Sequence, residues 1–149
     1  MAEKPRKNNN QNDKLVFSRE WIPKISVGSF LFGTSDARNL IENGLKILPE
    51  EYDEDVDWEV YGYKHDIRAY IDKGKLVSLT INDSFKFKNT EVIGKTIDQI
   101  SMLLEVDEFL FKDDGIISVD QKDINVYSVD SLGLQVWVSH EIIESVSCF

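Results

Sequence analysis

The sequence of 149 residues contains one cysteine, three prolines and two methionines. The single cysteine, Cys148, cannot form an internal disulfide bond, which is typical of proteins in a reducing compartment. No stretch approaches the roughly 18 consecutive apolar residues that a membrane-spanning helix requires. The first 14 residues also lack the apolar segment of a secretory signal peptide. We therefore expect a cytoplasmic protein that does not contact a membrane.

Motifs of catalysis and metal binding are missing as well. A catalytic cysteine usually acts with a histidine, but His65 and His140 belong to no recognisable nucleophile motif. Gly33 and Gly94 are single glycines before predicted helices, so neither forms a glycine-rich phosphate loop. We therefore expect a protein that is not an enzyme and that has no metal site and no cofactor. Cys148 is then expected to be a small buried apolar residue.

Positive charge is scarce outside the N-terminus. The whole chain carries a net charge of -10, and residues 1–14 contribute +2 from four basic and two acidic side chains, which leaves -12 on the remaining residues. Such a body repels nucleic acid and anionic membranes and attracts basic partners, although the same charge also serves solubility alone. Residues 1–14 are polar and Asn-rich without apolar periodicity, so we predict a disordered tail. Residues 15–149 are predicted to form a single α+β domain.

Two segments have the pattern of a short strand, a glycine turn and an N-capped helix. The first runs from Ser29 to Leu48 with Ser35 as the cap, and the second runs from Val92 to Val106 with Thr96 as the cap. Aligning the two glycine turns also aligns the two caps. This indicates either an internal repeat or two independent occurrences of a common strand–turn–helix motif. The predicted apolar stripes are Ala37, Leu40, Ile41 and Leu45 in the first helix, and Ile97, Ile100, Leu103 and Leu104 in the second.

A hairpin is predicted between the two helices. Strands at residues 67–72 and 75–81 flank Lys73-Gly74, a pair that suits a tight turn with positive φ. In that register Tyr70 lies opposite Val77, and Ile71 lies opposite Leu76. Both faces of the hairpin carry apolar residues, so the alternation of side chains along the strands does not decide which face belongs to the core.

Further short strands follow the second helix. They are predicted at about residues 109–112, 116–120, 124–128, 132–138 and 142–148, with Asp113-Asp114-Gly115 as a turn. Because successive strands are joined by short connections, the sheet should be mostly antiparallel. The predicted fold class is α+β, with two helices packed on this sheet in an arrangement compatible with two helix-plus-sheet repeats.

The most concentrated feature is acidic and aromatic together. Seven of the ten residues from 50 to 59 are acidic, and Trp58 lies among them. Interface centres are enriched in aromatic residues, and surrounding acids attract basic partners. The alternative is that Trp58 belongs to the core and the acids form a solvated loop. The candidate partner-binding residues are Glu50, Glu51, Asp53, Glu54, Asp55, Asp57, Glu59, Tyr61 and Tyr63.

Several segments also resemble known proteins: FGTSDARNLI, IRAYIDKGKLVSLTI, IGKTIDQISMLL, and LGLQVWV with IESVSCF. They resemble small bacterial immunity proteins encoded beside polymorphic or contact-dependent growth-inhibition toxins. The helix-and-hairpin layout is also similar to that of β-lactamase-inhibitor protein and of the small lipoprotein of the outer-membrane assembly machine, although the chain has no lipobox cysteine. The resemblance implies a cytosolic protein that binds and blocks a toxin domain. It assigns no functional residue, because these groups share no site motif.

Two classes of function remain. The first is a non-catalytic binding protein that neutralises a basic toxin domain of nuclease type, since a site built to receive phosphates also accepts carboxylates. The second is a housekeeping or regulatory interaction protein without a toxin partner. Both hypotheses require a protein partner, and neither involves nucleic acid as a ligand of this chain.

Deleting residues 1–14 should leave the thermal unfolding midpoint nearly unchanged, because this segment has no apolar periodicity with which to join a core. Scanning calorimetry of the full and the shortened chain measures this directly. A large drop in the midpoint of the shortened chain would show that the segment stabilises the rest of the protein.

Overall fold

The computed structural model describes residues 17–107 and 110–149, so the predicted tail at residues 1–14 lies outside the described residues. Within the described part the chain is mostly β. The strands are β1 (Trp21–Ile22), β2 (Ser26–Val27), β3 (Phe30–Leu31), β4 (Lys46–Ile47), β5 (Glu59–Tyr63), β6 (Ile67–Asp72), β7 (Lys75–Ile81), β8 (Lys86–Phe87), β9 (Thr90–Glu91), β10 (Lys112–Val119), β11 (Lys122–Val129), β12 (Leu134–Ser139) and β13 (Ile142–Cys148). The α-helices are α1 (Ala37–Glu42) and α2 (Ile97–Leu104), and two 3₁₀ helices span Pro49–Glu51 and Asp130–Leu132.

Eight of these strands form one antiparallel sheet in the order β10-β11-β12-β13-β7-β6-β5-β4. It consists of two meanders, β4 to β7 and β10 to β13, in which neighbours in sequence are neighbours in space. The meanders meet where β13 pairs with β7. At the predicted hairpin turn, Lys73 and Gly74 have φ values of 51° and 82°, which a two-residue turn of this type requires.

The register of the β6–β7 hairpin decides which of its faces is buried. Ile71 lies opposite Leu76 as predicted, but Tyr70 lies opposite Ser78 and not opposite Val77. A β-bulge therefore adds one residue to β7, and a bulge reverses the side on which the following residues point. As a result, Leu79 and Ile81 join the apolar residues of β6 on one buried face.

That buried face of the sheet carries the core. It is covered by both helices, by the small three-stranded sheet β1-β2-β3 and by the β8–β9 hairpin, each of which packs apolar side chains into or against one apolar cluster. The ring of Trp21 lies 5.2 Å from that of Phe85 and 5.5 Å from that of Phe87, measured between centroids. Leu40 and Ile100, the residues expected on the core faces of the helices, are confirmed as fully buried.

The predicted α+β fold of two helices packed on a sheet is wrong, because the described chain is mostly β and only α2 reaches two turns. Helix α1 ends early: Asn43 is its C-cap, and Gly44 has a φ of 97°, which directs the chain out of the helix. Of the predicted stripe, Leu45 is buried beyond the helix end, and Ile41 is 56% exposed. Small β-structures supply the rest of the covering layer.

The two helix starts also differ, which removes the basis for aligning them. The cap of α1 is Asp36, whose side chain accepts a hydrogen bond from the Asn39 backbone, whereas Ser35 is buried and accepts from the Leu31 backbone. The cap of α2 is Thr96, as predicted, in a reciprocal capping box with Gln99.

The predicted turn at Asp113-Asp114-Gly115 is wrong as well, because these residues lie within β10. They form a β-bulge at which Gly115 has a φ of 108° and donates its backbone N–H to Asp113 Oδ1 over 2.8 Å. Glycine and a short aspartate side chain favour both turns and bulges, so the local sequence does not distinguish the two.

Replacing Leu40 or Ile100 with alanine should lower the free energy of unfolding by about 2–5 kcal/mol, the usual range for removing a buried aliphatic side chain. Ile41 and Met102 are matched controls in the same helices, since their side chains are 56% and 81% exposed. Their alanine variants should change the stability by no more than about 0.5 kcal/mol. Urea denaturation of the four variants measures both values, and equal effects within each helix would contradict the described core.

Candidate functional site

The acidic residues from Glu50 to Asp57 lie in a loop before β5, here called the acidic loop, which backbone hydrogen bonds close. Asp53 and Trp58 each donate a backbone N–H to the carbonyl of the other, both over 3.1 Å, and so close the loop. Inside it the Asp55 backbone donates to Asp53 Oδ1 over 3.0 Å, and the Tyr52 hydroxyl donates to Asp57. These hydrogen bonds fix the conformation of the loop backbone from which the exposed carboxylates project.

Nearly all of the negative charge on this segment is uncompensated. Glu51 forms an ion pair with Arg68, with 2.9 Å between Oε1 and Nε, and among the described residues the other acids of the segment have no ion-pair partner. Arg68 is itself held in place, since it also donates to backbone carbonyls of Lys64 and Ile67. The exposed candidate residues are Glu50, Glu51, Asp53, Glu54, Asp55, Asp57 and Glu59.

The two candidate tyrosines lie elsewhere. Tyr61 is only 4% exposed and belongs to the core cluster, and Tyr63 is half-buried against the same cluster with a buried hydroxyl. Burial, and after it the charge of Glu59, raise the pKa of Tyr61 above its ordinary value. The tyrosines pair with Ala69 and Ile67 in the register, which places both on the core face. The structure therefore does not bring Tyr61 or Tyr63 to the surface of the acidic loop.

A different aromatic pair lies beside the loop. The rings of Trp58 and Tyr70 are 5.9 Å apart between centroids and inclined at 49°, and both side chains are half-buried. Tyr70 lies opposite Val60 in the register, on the face of the sheet that points away from the core. Along β6, the buried Ile67, Ala69 and Ile71 alternate with the half-buried Arg68, Tyr70 and Asp72. The same alternation can be read from the sequence, and it could have predicted that Tyr70 lies on the face with Arg68 and Asp72.

The face of the sheet opposite the core, here called the open face, continues from this pair across the central strands. Its centre is polar: Thr80 and Ser147 are hydrogen-bonded over 2.9 Å, and Ser78 donates to the Cys148 carbonyl. On β12 the half-buried Trp137 shares this face, and its buried Nε1 has no hydrogen-bond partner among the described residues. Sequence analysis did not single out Trp137.

Several buried residues of the open face lie outside the core cluster. Val60, Ile124 and Val126 are buried but are not part of that cluster. Both helices and both small β-structures pack apolar side chains against the core cluster, whereas Leu48, Pro49 and Tyr52 from the segment before β5 lie next to Val60 on the open face. The exposed acidic loop adjoins this face at the half-buried Trp58–Tyr70 pair, where aromatic groups lie next to carboxylates.

Within residues 17–107 and 110–149 no three histidine, cysteine, aspartate or glutamate side chains are grouped closely enough to hold a metal ion. His65 and His140 are exposed. Cys148 is confirmed as a buried residue, and burial raises the pKa of its thiol far above the ordinary value, which opposes formation of the nucleophilic thiolate.

None of the helices in the described ranges has the length and apolar character that crossing a bilayer requires. Comparison of the chain with known protein families, with characterised proteins and with solved structures gives no match.

A thiol reagent should modify Cys148 far more slowly in the native protein than in the unfolded protein, because the side chain is fully buried and its pKa is raised. Absorbance with an aromatic disulfide reagent, with and without denaturant, measures the two rates. Rapid native modification at neutral pH would show that β13 opens readily at the centre of the sheet.

Proposed function

We propose that this protein is a non-catalytic, cytoplasmic binding protein that neutralises a basic toxin domain of nuclease type. The observation that carries the proposal is the acidic loop beside the Trp58–Tyr70 pair. Among residues 17–107 and 110–149, its carboxylates have no cation partner apart from the Glu51–Arg68 ion pair. A nuclease cleft is positively charged because it receives phosphates, so fixed carboxylates can occupy the same cleft.

In this proposal the acids and the aromatics contribute differently. Rim charges accelerate association by steering, whereas well-packed aromatic anchors slow dissociation. Trp58 and Tyr70 take the role of anchors, because they are partly exposed on the open face, while Tyr61 is confined to the core. The carboxylates of Asp53, Glu54 and Asp55 provide the steering charge.

Neutralising the loop with Asp53→Asn, Glu54→Gln and Asp55→Asn together should slow association with the partner and weaken its dependence on salt. The partner for this measurement is the toxin domain encoded by the neighbouring gene, purified with this protein and studied by surface plasmon resonance. A control variant neutralises two exposed carboxylates away from the loop, Asp98→Asn in α2 and Glu141→Gln, which lies in the same pocket as Asp98.

Replacing Trp58 or Tyr70 with alanine should instead accelerate dissociation, at a cost of about 2 kcal/mol or more if the residue is a hot spot. Unchanged association and dissociation rates in all of these variants, with intact folding, would remove this surface from the interface. If the wild-type chain fails to protect cells that express the toxin domain, the neutralising function itself is wrong, and a regulatory interaction protein becomes the better description.

A further inference from the structure

Strand β10 is a long free edge of the large sheet. It is the terminal strand, pairs with β11 on one side, and has no strand on its other side among the described residues. The opposite edge, β4, contains only two residues. In an antiparallel edge strand, alternate residues direct their backbone N–H and C=O groups away from the sheet, so an eight-residue edge offers several unpaired main-chain groups.

The side chains of β10 are exposed on both faces of the sheet. Ile116 is 66% exposed, Ile117 is 38% exposed and Val119 is 42% exposed. Ile116 lies opposite Asn125 and Ile117 lies opposite Ile124, so the two isoleucines point to opposite faces. An added strand would therefore find an apolar contact on each side of the sheet.

The segment from Gly115 to Val119 lacks the features that normally protect a free edge. Native edges are interrupted by proline, by charged side chains or by a bulge. Gly115–Val119 contains no proline and no charge, and the bulge lies at its N-terminal end, next to Asp113. The four residues Ile116–Val119, which follow the bulge, thus remain regular and available for pairing.

The charge around this edge favours a basic occupant. Residues 112–130 contain two lysines and five aspartates, a net charge of -3. Lys112 lies 3.8 Å from Asp114 and 3.7 Å from Asp130, and Lys122 lies 2.6 Å from Glu144, so both cations are already paired. Hydrogen bonding from Ser128, and to a lesser degree the other contacts of Asp114, keep the pKa of this carboxyl below its ordinary value.

A second copy of the chain is disfavoured at this edge. Two identical β10 strands would bring two negatively charged hairpins together, each on a body of net charge -12. Like charges opposed across a strand pair are destabilising, whereas a basic segment would gain from the same field.

We propose that β10 is a second docking site, at which an extended basic-apolar segment of a protein partner adds to the sheet as a ninth strand. Main-chain hydrogen bonds along Ile116–Val119 supply the affinity, and side chains of the added strand contact Ile116 on one face and Ile117 on the other. The basic residues of the segment face the aspartates of the β10–β11 hairpin. This site is separate from the acidic loop, at the other end of the sheet.

The probes are two end-blocked, labelled peptides of about ten residues, long enough to span β10. One repeats Lys-Lys-Val-Val and the other repeats Glu-Glu-Val-Val, so each presents valine to both faces of the sheet. Fluorescence anisotropy measures their binding to the full chain, and amide hydrogen exchange locates it. We expect the lysine peptide to bind at least about tenfold more tightly than the glutamate peptide and to slow amide exchange within residues 115–119.

The variant Ile116→Ser with Ile117→Ser keeps the charge, and it should weaken binding of the lysine peptide by about tenfold or more. Its matched control, Ile22→Ser with Ile41→Ser, changes two other exposed isoleucines and should bind as the wild type does. The loop variant Asp53→Asn, Glu54→Gln, Asp55→Asn should also retain most of the binding, which separates this proposal from the proposed function.

Three results would overturn the proposal. The first is binding of the lysine peptide that is lost in the loop variant but kept in the isoleucine variant, since this would be attraction to the acidic loop. The second is the absence of altered exchange at residues 115–119 at saturating peptide. The third is a concentration-dependent dimer of the chain that dissociates in the isoleucine variant, since sedimentation would then identify a second copy as the occupant.

Discussion

The large sheet depends on the pairing of β7 with β13. All its other strand pairs join neighbours in sequence, but here Leu79, Thr80 and Ile81 pair with residues of the C-terminal strand more than 60 positions away. Closing so long a loop costs chain entropy. The β7–β13 pairing, here called the seam, offsets this cost with apolar pairs on the core face and with the Thr80–Ser147 hydrogen bond on the open face. Because the seam unites two meanders, the acidic loop and the free edge lie at opposite ends of one sheet.

The two faces of the sheet have different environments, and this difference supports a binding role. One face is covered by helices and small β-structures, whereas the central strands of the other carry hydroxyl side chains that satisfy each other or backbone carbonyls. Such groups can face water without a covering layer, so Trp58, Tyr70 and Trp137 remain at or near the surface. Rigid strands holding partly exposed aromatics give a partner a pre-organised surface, which lowers the entropic cost of binding.

Two errors of prediction come from β-bulges. A bulge inserts one residue and reverses the side of every residue after it, so strict alternation along β7 would place Leu79 and Ile81 on the face of Tyr70, whereas in the structure they share the buried face with Ile67. The same applies to Asp113-Asp114-Gly115, which the sequence predicts as a turn and which the structure contains as a bulge in β10. The helix at residues 37–42 was expected to be longer because Leu45 continues the apolar spacing, but Leu45 is buried by the chain after the helix has ended.

The sequence by itself determined the local features. These are the Lys73-Gly74 turn, the register of Ile71 with Leu76, the Thr96 cap and the burial of Leu40, Ile100 and Cys148, because each depends on backbone conformation or on the apolar character of a few neighbouring residues. It also located the acidic loop by composition. Only the tertiary structure decided that β13 joins β7, that Tyr61 faces the core while Tyr70 lies beside Trp58, and that β10 is the free edge. These features depend on contacts between residues distant in sequence, which no local pattern specifies.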